Sequence, residues 1–337
     1  MAEAPLNAKI RDAFEAGSLT GLHGVYATLD GEVLANVYFD GEDTAWGRDL
    51  GVVAHGPDTL HDVRSVSKTV VALLYGIALE AGKVPPADTP LYDAFADHAA
   101  LGEGREAIRI EHALTMTLGL EWDETLPYTD PKNSEIAMEQ ADDRIAYVLS
   151  RKVVAEPGST WNYSGGATAL IGELIERGTG MALDDYAEAV LFAPLGITEF
   201  EWVGREGAGP AAASGLRLTL PDLGKIGAVL ANGGRFGETA IVSPAFIEEM
   251  FTAKAYEPTG LGYGYFTYVS WPGLLSEWRA GFGNGGQRVA VHPAEGLVIA
   301  ISAGRYDDPN AWRLGVSVAA RFIYPAVRAR VRAAFGR

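Results

Sequence analysis

Apolar residues recur with a period of two near both ends of the chain and with a helical period between them. At 24–29 and 33–39, β-branched and aromatic residues alternate as they do in strands, and Asp30-Gly31 between the two segments is a hairpin sequence. Strand-like patterns return at 263–270, 288–292 and 297–303. These patterns predict strands from both termini.

Helical spacing covers most of the remaining chain. The strongest signal lies at 67–82, where apolar positions face nearly all directions and Gly82 precedes Pro85-Pro86, so we expect a buried helix that ends at the glycine. The other predicted helices cover 7–16, 108–116, 134–150, 167–177, 183–191, 244–250 and 312–335.

Strands at the two ends and helices between them favour one antiparallel sheet that is assembled from both termini and flanked by helices. The α/β part would comprise about 1–83 and 231–337, and a mostly helical subdomain of about 84–230 would be inserted in it. No linker, repeat or low-complexity segment divides the chain. We therefore expect a single domain, 1–337, of the α/β class and the α+β type.

Composition and charge narrow the classes of partner. The 337 residues are 48% hydrophobic, and 44 acidic against 27 basic residues give a net charge of −17, which repels phosphate backbones and anionic membranes. The absence of cysteine excludes disulfides, Cys-based zinc sites and a thiol nucleophile. The first residues lack the pattern of a secretory signal, and the longest apolar run, 70–79, is about half of a membrane span. We expect a cytoplasmic protein that binds neither nucleic acid nor membranes, and its oligomeric state stays open.

Ser65-Val66-Ser67-Lys68 stands at the predicted start of the buried helix. Residues three apart on a helix are neighbours, so the Ser65 hydroxyl and the Lys68 amine can reach hydrogen-bond distance. The positive potential at a helix N-terminus and burial both favour a neutral amine that can accept the serine proton. The alternative is a capping serine beside a surface lysine, and Ser67 is the better candidate for an ordinary cap.

A second group of polar and aromatic residues lies at 156–166, where Glu-Pro-Gly is followed by Trp161-Asn162-Tyr163. A tyrosine in such a loop can project into a cleft and transfer a proton to a leaving group. The alternative is an aromatic ring that packs the loop onto the core.

A third group is the glycine-rich segment 281–287, which contains the G-x-G-x-x-G spacing of dinucleotide sites. Such a site needs a helix after the motif, whereas 288–292 predicts a strand, so we reject that interpretation. Glycines in a strand leave the backbone bare, so a ligand can approach closely and an amide N–H can be offered to a developing oxyanion. A plain glycine turn is the alternative.

Ser-x-x-Lys, Tyr-Ser-Gly and a glycine-rich strand, in this order, resemble the three motifs of the serine β-lactamase and penicillin-binding-protein superfamily, in its class C β-lactamase-like form. The sequence is most similar to the branch of 6-aminohexanoate-dimer hydrolases and family VIII carboxylesterases. The segments that carry this likeness are 60–68, 114–124, 214–219 and 284–287, and the resemblance extends from about residue 20 to 325. It implies a β-lactamase/DD-peptidase-like fold.

The resemblance also implies roles for individual residues. Ser65 would be the acylated nucleophile, Lys68 its base, and Tyr163 the residue that carries a proton to the leaving group and activates the deacylating water. The oxyanion hole would consist of the backbone N–H groups of Ser65 and Gln287. No metal or organic cofactor is implied.

Two positions depart from the β-lactamase pattern. Ser164-Gly165 after Tyr163 removes a side-chain amide that contacts substrate, and Asn284-Gly285-Gly286 in place of Lys-Thr-Gly removes a cation that pairs with a substrate carboxylate. We therefore expect a carboxylesterase or amidase that acts on a small ester or amide, with substrate contacts from Asn284, Gly285 and Gly286. Weak β-lactamase or DD-peptidase-like activity is the alternative.

Three aromatic residues, Trp122, Tyr128 and Trp161, are candidates for the walls of the acyl or leaving-group pocket, since small-ligand sites are usually lined by such side chains. Each could equally pack the helical part of the chain. The resemblance to the family, rather than the residue types themselves, favours a position in the wall of the pocket.

Other classes of function compete with this hypothesis. Six histidines are available to a Ser-His-Asp hydrolase, but the chain has no Gly-x-Ser-x-Gly elbow, and neither His-Glu-x-x-His nor clustered ligands support a metallohydrolase. A non-catalytic member of the fold that binds a ligand or serves as a scaffold is the other alternative. Ser65, Lys68 and Tyr163 together favour the enzyme, because a scaffold needs no amine beside a hydroxyl.

Overall fold

The computed structural model describes residues 5–270 and 277–335, so the ends of the predicted domain, 1–4 and 336–337, lie outside the described residues. The strands are β1 (Leu22–Leu29), β2 (Glu32–Tyr38), β3 (Gly41–Ala45), β4 (Arg48–Val53), β5 (His61–Asp62), β6 (Glu201–Trp202), β7 (Leu216–Leu218), β8 (Arg235–Phe236), β9 (Thr239–Ala240), β10 (Ala255–Tyr256), β11 (Gly262–Tyr263), β12 (Tyr268–Val269), β13 (Arg279–Gly283), β14 (Gln287–His292) and β15 (Leu297–Ala303). Eight of them form one antiparallel sheet in the order β10-β11-β12-β13-β14-β15-β1-β2.

The helices lie mainly in the middle of the chain and at its two ends. The α-helices are α1 (Pro5–Glu15), α2 (Val66–Glu80), α3 (Ile110–Leu114), α4 (Ser134–Glu139), α5 (Arg144–Leu149), α6 (Gly165–Thr179), α7 (Leu183–Ala187), α8 (Leu220–Ala231), α9 (Pro244–Phe251), α10 (Trp312–Val318) and α11 (Tyr324–Phe335). Short 3-10 or π-helical segments cover Leu91–Leu101, Glu188–Phe192, Ala193–Leu195, Pro293–Glu295 and Ala319–Ile323.

Strand β1 joins the two termini in one sheet. It pairs with β2 through the Asp30-Gly31 turn, whose two residues have φ angles of 50° and 80°, and with β15 on its other side, where Val25 faces Ile301. Positive φ at both central residues gives the turn the twist that an antiparallel hairpin requires. The predicted sheet from both termini, and with it the mixed α/β fold class, is confirmed.

Helix α2 is buried on nearly every side, as predicted from its apolar sequence. Twelve of its 15 residues are buried, and it ends just before Gly82, which has a φ angle of 66°. Its first turn packs on β13, where a side chain at Gly281 would lie 2.6 Å from Thr69 Oγ1. Near its other end, Gly76 lies against the ring of Phe246 on α9. The helix therefore packs between β13 of the large sheet and helix α9.

Two predicted elements are divided in the structure. The helix predicted at 134–150 is split into α4 and α5, because the Asp143 side chain accepts a hydrogen bond from the Ala146 N–H (2.8 Å) and starts a new helix. The strand predicted at 263–270 consists of β11 and β12, joined by a turn in which Phe266 has a φ angle of 45°. The apolar patterns predicted burial at these places but not the local breaks.

The middle of the chain also contributes strands and a sheet-packing helix. β7 pairs with β6 on one side and with β5 on the other, and β5 shortly precedes the start of α2. Helix α8, just before the predicted boundary near residue 230, lies on the large sheet, since side chains at Gly224 and Gly227 would lie 2.5 Å from Tyr26 and 2.4 Å from Val298. Within residues 5–270 and 277–335, no helix has the length and apolarity needed to cross a lipid bilayer.

The contact of α8 with the sheet predicts the effect of a single methyl group. Replacing Gly227 by alanine should lower the free energy of unfolding by about 2 kcal/mol, because the new Cβ would overlap Val298 in a rigid strand. Alanine is otherwise the better helix former by about 1 kcal/mol, so loss of stability can come only from the overlap. Urea unfolding followed by circular dichroism would measure the change.

Two further variants control this experiment. In a Val298→Ala background the methyl group of Gly227→Ala enters the space that the valine leaves, so the same substitution should be neutral or stabilising there. Gly56→Ala, whose Cβ would meet only Thr59 Oγ1 at 3.8 Å, should leave stability nearly unchanged. Equal destabilisation by Gly227→Ala in both backgrounds would contradict the packing.

Candidate active site

Ser65 stands directly before the first turn of α2, and its hydroxyl group does not cap the helix. The prediction that Ser67 is the cap is wrong, because its Oγ donates a hydrogen bond to the Arg64 carbonyl oxygen at 2.6 Å instead. The first turn therefore has no capping side chain. The Ser65 hydroxyl group is left available to the two side chains described next.

Lys68 is buried, with 1% of its surface exposed, and its Nζ has partners from four segments of the chain. It donates to Ser65 Oγ at 3.0 Å and to the Ala213 carbonyl oxygen at 2.9 Å. Glu135 Oε2 is 3.8 Å away, and the centre of the Tyr163 ring is 4.8 Å away. The predicted proximity of the serine hydroxyl and the lysine amine is thus present in the structure.

Tyr163 lies in the loop before α6 and is half-buried beside the same two residues. The centre of its ring is 4.8 Å from Lys68 Nζ, and the Ser65 side chain lies close enough to its phenol group to affect the pKa of Tyr163. Burial raises the pKa of Tyr163 well above its ordinary value, and the nearby Glu124 carboxylate raises it further. The phenol is therefore protonated at neutral pH, so it can give a proton but does not start as a base.

Two carboxyl groups, that of the buried Glu135 and that of the half-buried Glu124, complete a charge cluster around Lys68. Glu124 Oε1 accepts hydrogen bonds from Trp122 Nε1 and from the Gly165 N–H, both at 2.5 Å. Burial raises the pKa of Glu124 from 4.5 to about 7, and the adjacent Glu135 carboxylate acts in the same direction. Gly165 has no side chain, which leaves room for Glu135, since a Cβ there would lie 2.3 Å from its Oε2. We call Lys68, Glu124 and Glu135 the buried charge cluster.

The glycine-rich segment reaches the site through the packing of β13 on α2. A Cβ at Gly283 would lie 2.6 Å from the Val63 carbonyl oxygen and 3.1 Å from Arg64 Cβ, so the strand comes closer to the start of α2 than a larger residue would permit. Asn284 follows at once and lines the same pocket as Ser65. Its side chain exchanges hydrogen bonds with Asp307.

The pocket that opens over Ser65 has a volume of about 360 Å³ and carries charges of both signs on its walls. Burial raises the pKa of Glu139 in this wall to about 7, although Arg144 opposes the shift. The lining residues are Trp46, Gly47, Arg64, Ser65, Tyr128, Thr129, Glu135, Ile136, Glu139, Gln140, Arg205, Ser214 and Asn284. A pocket of this size accommodates a small molecule.

Several residues predicted from the sequence do not line this pocket. Gln287 is 2% exposed, and its side chain is bonded to the backbone of Ala303. Trp122 is in the core and donates to Glu124. Trp161 packs edge-on against Tyr263, with ring centres 5.5 Å apart.

Of the other four residues predicted to contact the substrate, two line the pocket and two do not. Tyr128 and Asn284 line the pocket, and the Tyr128 hydroxyl donates to Glu124 Oε2 at 2.8 Å. Gly285 and Gly286, with φ angles of 90° and 103°, form the turn between β13 and β14. A Cβ on Gly285 would lie 2.7 Å from the Tyr306 ring, so this glycine serves close packing.

Glu124, Glu135 and the Ala213 carbonyl group are the members of the site that sequence reasoning missed. The sequence contained one local signal for the position of Glu135, the asparagine at 133, which is a residue type that often starts helices. In the structure its side chain caps α4 and accepts a hydrogen bond from the Glu135 N–H at 3.0 Å. Among the described residues, no histidine lines the pocket over Ser65. The alternative of a Ser-His-Asp site therefore gains no support from the geometry.

Comparison with known proteins gives the chain a family context. The protein family described as Beta-lactamase matches residues 7–317. The 6-aminohexanoate-dimer hydrolase of Paenarthrobacter ureafaciens is 24% identical in an alignment of 281 positions that covers 76% of this chain and 69% of that protein. The monacolin J acid methylbutanoyltransferase of Aspergillus terreus is 34% identical over 113 residues. This second match covers 33% of the chain and only about a quarter of the transferase, 27% of its length.

Solved structures show the same fold at low sequence identity. A putative 6-aminohexanoate-dimer hydrolase from Bacillus anthracis superposes with a TM-score of 0.76 at 16% identity, over 96% of this chain and 82% of that one. A family VIII carboxylesterase superposes with a TM-score of 0.69 at 18% identity, over 94% and 98% of the two chains. The resemblance of the sequence motifs to the β-lactamase superfamily is therefore confirmed, and proteins of the predicted branch are among those that share the fold.

The raised pKa of Glu124 predicts a pH-dependent difference between the wild type and Glu124→Gln. The folded protein keeps a proton on Glu124 that the unfolded chain releases between pH 4.5 and about 7, so this group makes wild-type stability fall as the pH rises through that interval. Glutamine cannot ionise and can still accept from Trp122 and Gly165. Between pH 5.5 and 8, the stability of the variant relative to the wild type should rise by about 2 kcal/mol. Urea unfolding at both pH values would measure it.

The control is Glu121→Gln, at an exposed position close in sequence. Its stability relative to the wild type should be the same at pH 5.5 and pH 8. If Glu124→Gln behaved as this control does, Glu124 would be ionised throughout the interval, and the buried charge cluster would carry more negative charge than we infer.

Proposed function

The chain belongs to the β-lactamase family, and we propose that it is a serine hydrolase that forms an acyl-enzyme with small ester or amide substrates, as a carboxylesterase or amidase does. The observation that carries this proposal is the hydrogen bond of 3.0 Å between Lys68 Nζ and the uncapped Ser65 hydroxyl on the wall of a pocket. A structural role explains neither the burial of the lysine nor its contact with a pocket serine.

In the acylation step, Lys68 in its neutral form takes the proton of Ser65, and the alkoxide adds to the substrate carbonyl carbon. The tetrahedral intermediate then collapses by breaking the bond to the alkoxy or amino group. Tyr163 gives this group its proton, which the raised pKa of the phenol supports because the phenol is protonated at neutral pH. The phenolate is a strong base and recovers a proton from the Lys68 ammonium group below its ring.

Deacylation follows the same path in reverse. A water molecule takes the place of the leaving group and gives a proton towards Tyr163 and Lys68 as it attacks the acyl carbon. Ser65 departs with a proton, and the carboxylic acid is released. The Glu135 carboxylate, 3.8 Å from Nζ, balances the charge of Lys68 while that residue is protonated.

We propose two backbone donors for the oxyanion, the Ser65 N–H at the start of α2 and one N–H from the glycine-rich segment. Gln287 is the donor implied by the sequence motif. Asn284 is the better candidate on geometry, because it lines the pocket with Ser65 and follows the point where Gly283 touches the start of α2.

The pocket supports a small substrate that carries polar groups. Glu135 and Glu139 are offset by Arg64 and Arg205, so the walls can contact groups of either sign. Arg64 is already paired with the buried Asp62 at 3.0 Å, so it is less available to a carboxylate on the ligand. This arrangement favours an ester or amide over a β-lactam, and weak β-lactamase activity is kept as an outcome of the test.

The nucleophile can be tested by intact-mass analysis after incubation with a fluorophosphonate, with release of nitrophenol from short-chain nitrophenyl esters followed in parallel. We expect one adduct on the wild type, none on Ser65→Ala, and at least about a 1,000-fold loss of ester turnover in that variant. Ser214→Ala removes another hydroxyl group from the same pocket wall and should keep the adduct.

The outcomes separate the competing functions. No adduct on the folded wild type would favour the non-catalytic binding or scaffold protein. An adduct with turnover of nitrocefin as fast as that of the esters would favour a β-lactamase. An adduct that persists on Ser65→Ala would refute Ser65 as the nucleophile.

The role of Tyr163 predicts a dependence on the leaving group. Nitrophenolate departs without a proton, whereas an alkoxide or amide nitrogen needs one, so Tyr163→Phe should slow the hydrolysis of alkyl esters or amides by about 100-fold more than that of nitrophenyl esters. The measurement is kcat/KM for a matched nitrophenyl and ethyl ester. Tyr128→Phe removes a hydroxyl group from the same pocket and should slow both esters equally. Equal losses in Tyr163→Phe would rule out proton donation by this residue.

A further inference from the structure

Three histidines and an aspartate that are distant in sequence meet behind the pocket wall. His23 lies on β1, Asp43 on β3, His55 in the loop after β4 and His61 on β5. One ligand atom from each of the four side chains lies within 4.8 Å of the others. His23 Nδ1 is 2.9 Å from His61 Nε2, and that atom is 3.5 Å from Asp43 Oδ1. The sequence showed no clustering of metal ligands because the fold alone brings these residues together.

Two atoms in this group are buried and have no hydrogen-bond partner. They are His55 Nε2 and Asp43 Oδ2, which lie 4.0 Å apart, too far for a hydrogen bond to each other. Their side chains are 3% and 1% exposed. An unpartnered buried polar atom is destabilising, so a native protein normally provides it with a partner. The two atoms lie close enough for one bound ion to be the partner of both.

Outer hydrogen bonds orient His61 and Asp43 so that a lone pair of each faces the group. His61 Nδ1 donates to the Asp62 carbonyl oxygen at 2.9 Å, which leaves the lone pair of its Nε2 facing the other ligands. Asp43 Oδ1 accepts from the Tyr306 hydroxyl at 2.7 Å and from the Thr44 N–H at 2.8 Å. Ligating histidines and carboxylates in metal sites are held by such second partners.

The imidazoles are also in the protonation state that binds metal ions. Burial lowers the pKa of His23 to about 3 and that of His61 to about 4, and it lowers the pKa of His55 as well. Neutral imidazole is the ligand form of histidine. Gly41 and Gly304 leave no spare room, since a Cβ on either would lie within 2.6 Å of the His23 ring. The ring is therefore held facing the group.

We propose that His23, Asp43, His55 and His61 form a binding site for one divalent transition-metal ion of the zinc type. Three imidazole nitrogens and one carboxylate oxygen are a ligand set that Zn²⁺ takes in tetrahedral geometry. Bonds of about 2.0–2.2 Å place such ligands about 3.4 Å apart, so the widest pair here would close by roughly 1.4 Å on binding.

The site would be structural rather than catalytic. With four protein ligands, a tetrahedral ion has no open position for water or substrate. None of the four residues lines the pocket over Ser65. The ion would instead tie β3 and the loop after β4 to β1 and to β5, the strand that leads into α2. Metal binding can therefore be measured without following hydrolysis at Ser65.

Titration of chelator-treated, metal-free protein with Co²⁺ and then Zn²⁺ tests the site. Tetrahedral Co²⁺ absorbs visible light far more strongly than six-coordinate Co²⁺. We expect a strong absorption that saturates at one Co²⁺ per chain and disappears on addition of one equivalent of Zn²⁺, with a rise in Tm when Zn²⁺ binds. His55→Gln and Asp43→Asn should each weaken Zn²⁺ binding by at least about 100-fold.

His98→Gln is the matched control, because His98 contacts Asp97 and Asp143 at the surface and lies outside the group. It should bind both ions as the wild type does. A weak, six-coordinate Co²⁺ spectrum on the wild type would refute the site even if no variant folded. Equal affinity of His55→Gln and the wild type would also refute it, since binding would then occur elsewhere.

Discussion

The burial of Lys68 is the constraint on which the rest of the site depends. An amine that is 1% exposed inside an apolar helix must find polar partners within reach of its Nζ. The fold supplies them from separate segments, each positioned by its own local structure. Ser65 is placed by the first turn of the helix, Glu135 by the Asn133 cap of α4, and the Ala213 carbonyl oxygen by the chain before β7. The arrangement around the nucleophile is thus the consequence of satisfying one buried nitrogen atom.

The sequence predicted those parts of the site that depend on local geometry. Ser65 and Lys68 are three residues apart, so any helix brings them together, and the apolar pattern showed that this helix is buried. Glu135 reaches Lys68 only through tertiary packing, which no spacing in the sequence records. Gln287 was assigned to the oxyanion hole from the family resemblance alone. The alternation of apolar and polar residues shows which face of a strand is buried. It does not show which residue of the glycine-rich segment lies opposite α2, so the sequence could not predict which N–H group faces the pocket.

The backbone directly before Ser65 is held in a strained conformation. Arg64 has a φ angle of 50°, in the left-handed region that costs a non-glycine residue about 1–2 kcal/mol. Its guanidinium group is paired with Asp62, donates to Thr44 Oγ1 at 2.9 Å and lies over the ring of Tyr306. These contacts come from three segments and together prevent relaxation of the backbone. They let Ser65 enter the helix without using its hydroxyl group as a cap.

The anchors of Arg64 belong to the same strands as the histidine cluster. Asp62 follows His61 on β5, and Thr44 follows Asp43 on β3, so each of these strands presents one side chain to the cluster and the next towards the nucleophile. Successive residues of a strand face opposite sides, which explains how two short strands can serve both. A change in the position of the cluster would therefore alter the rate of the reaction by moving the backbone at Ser65. The charges in the pocket and around Lys68 would stay as they are.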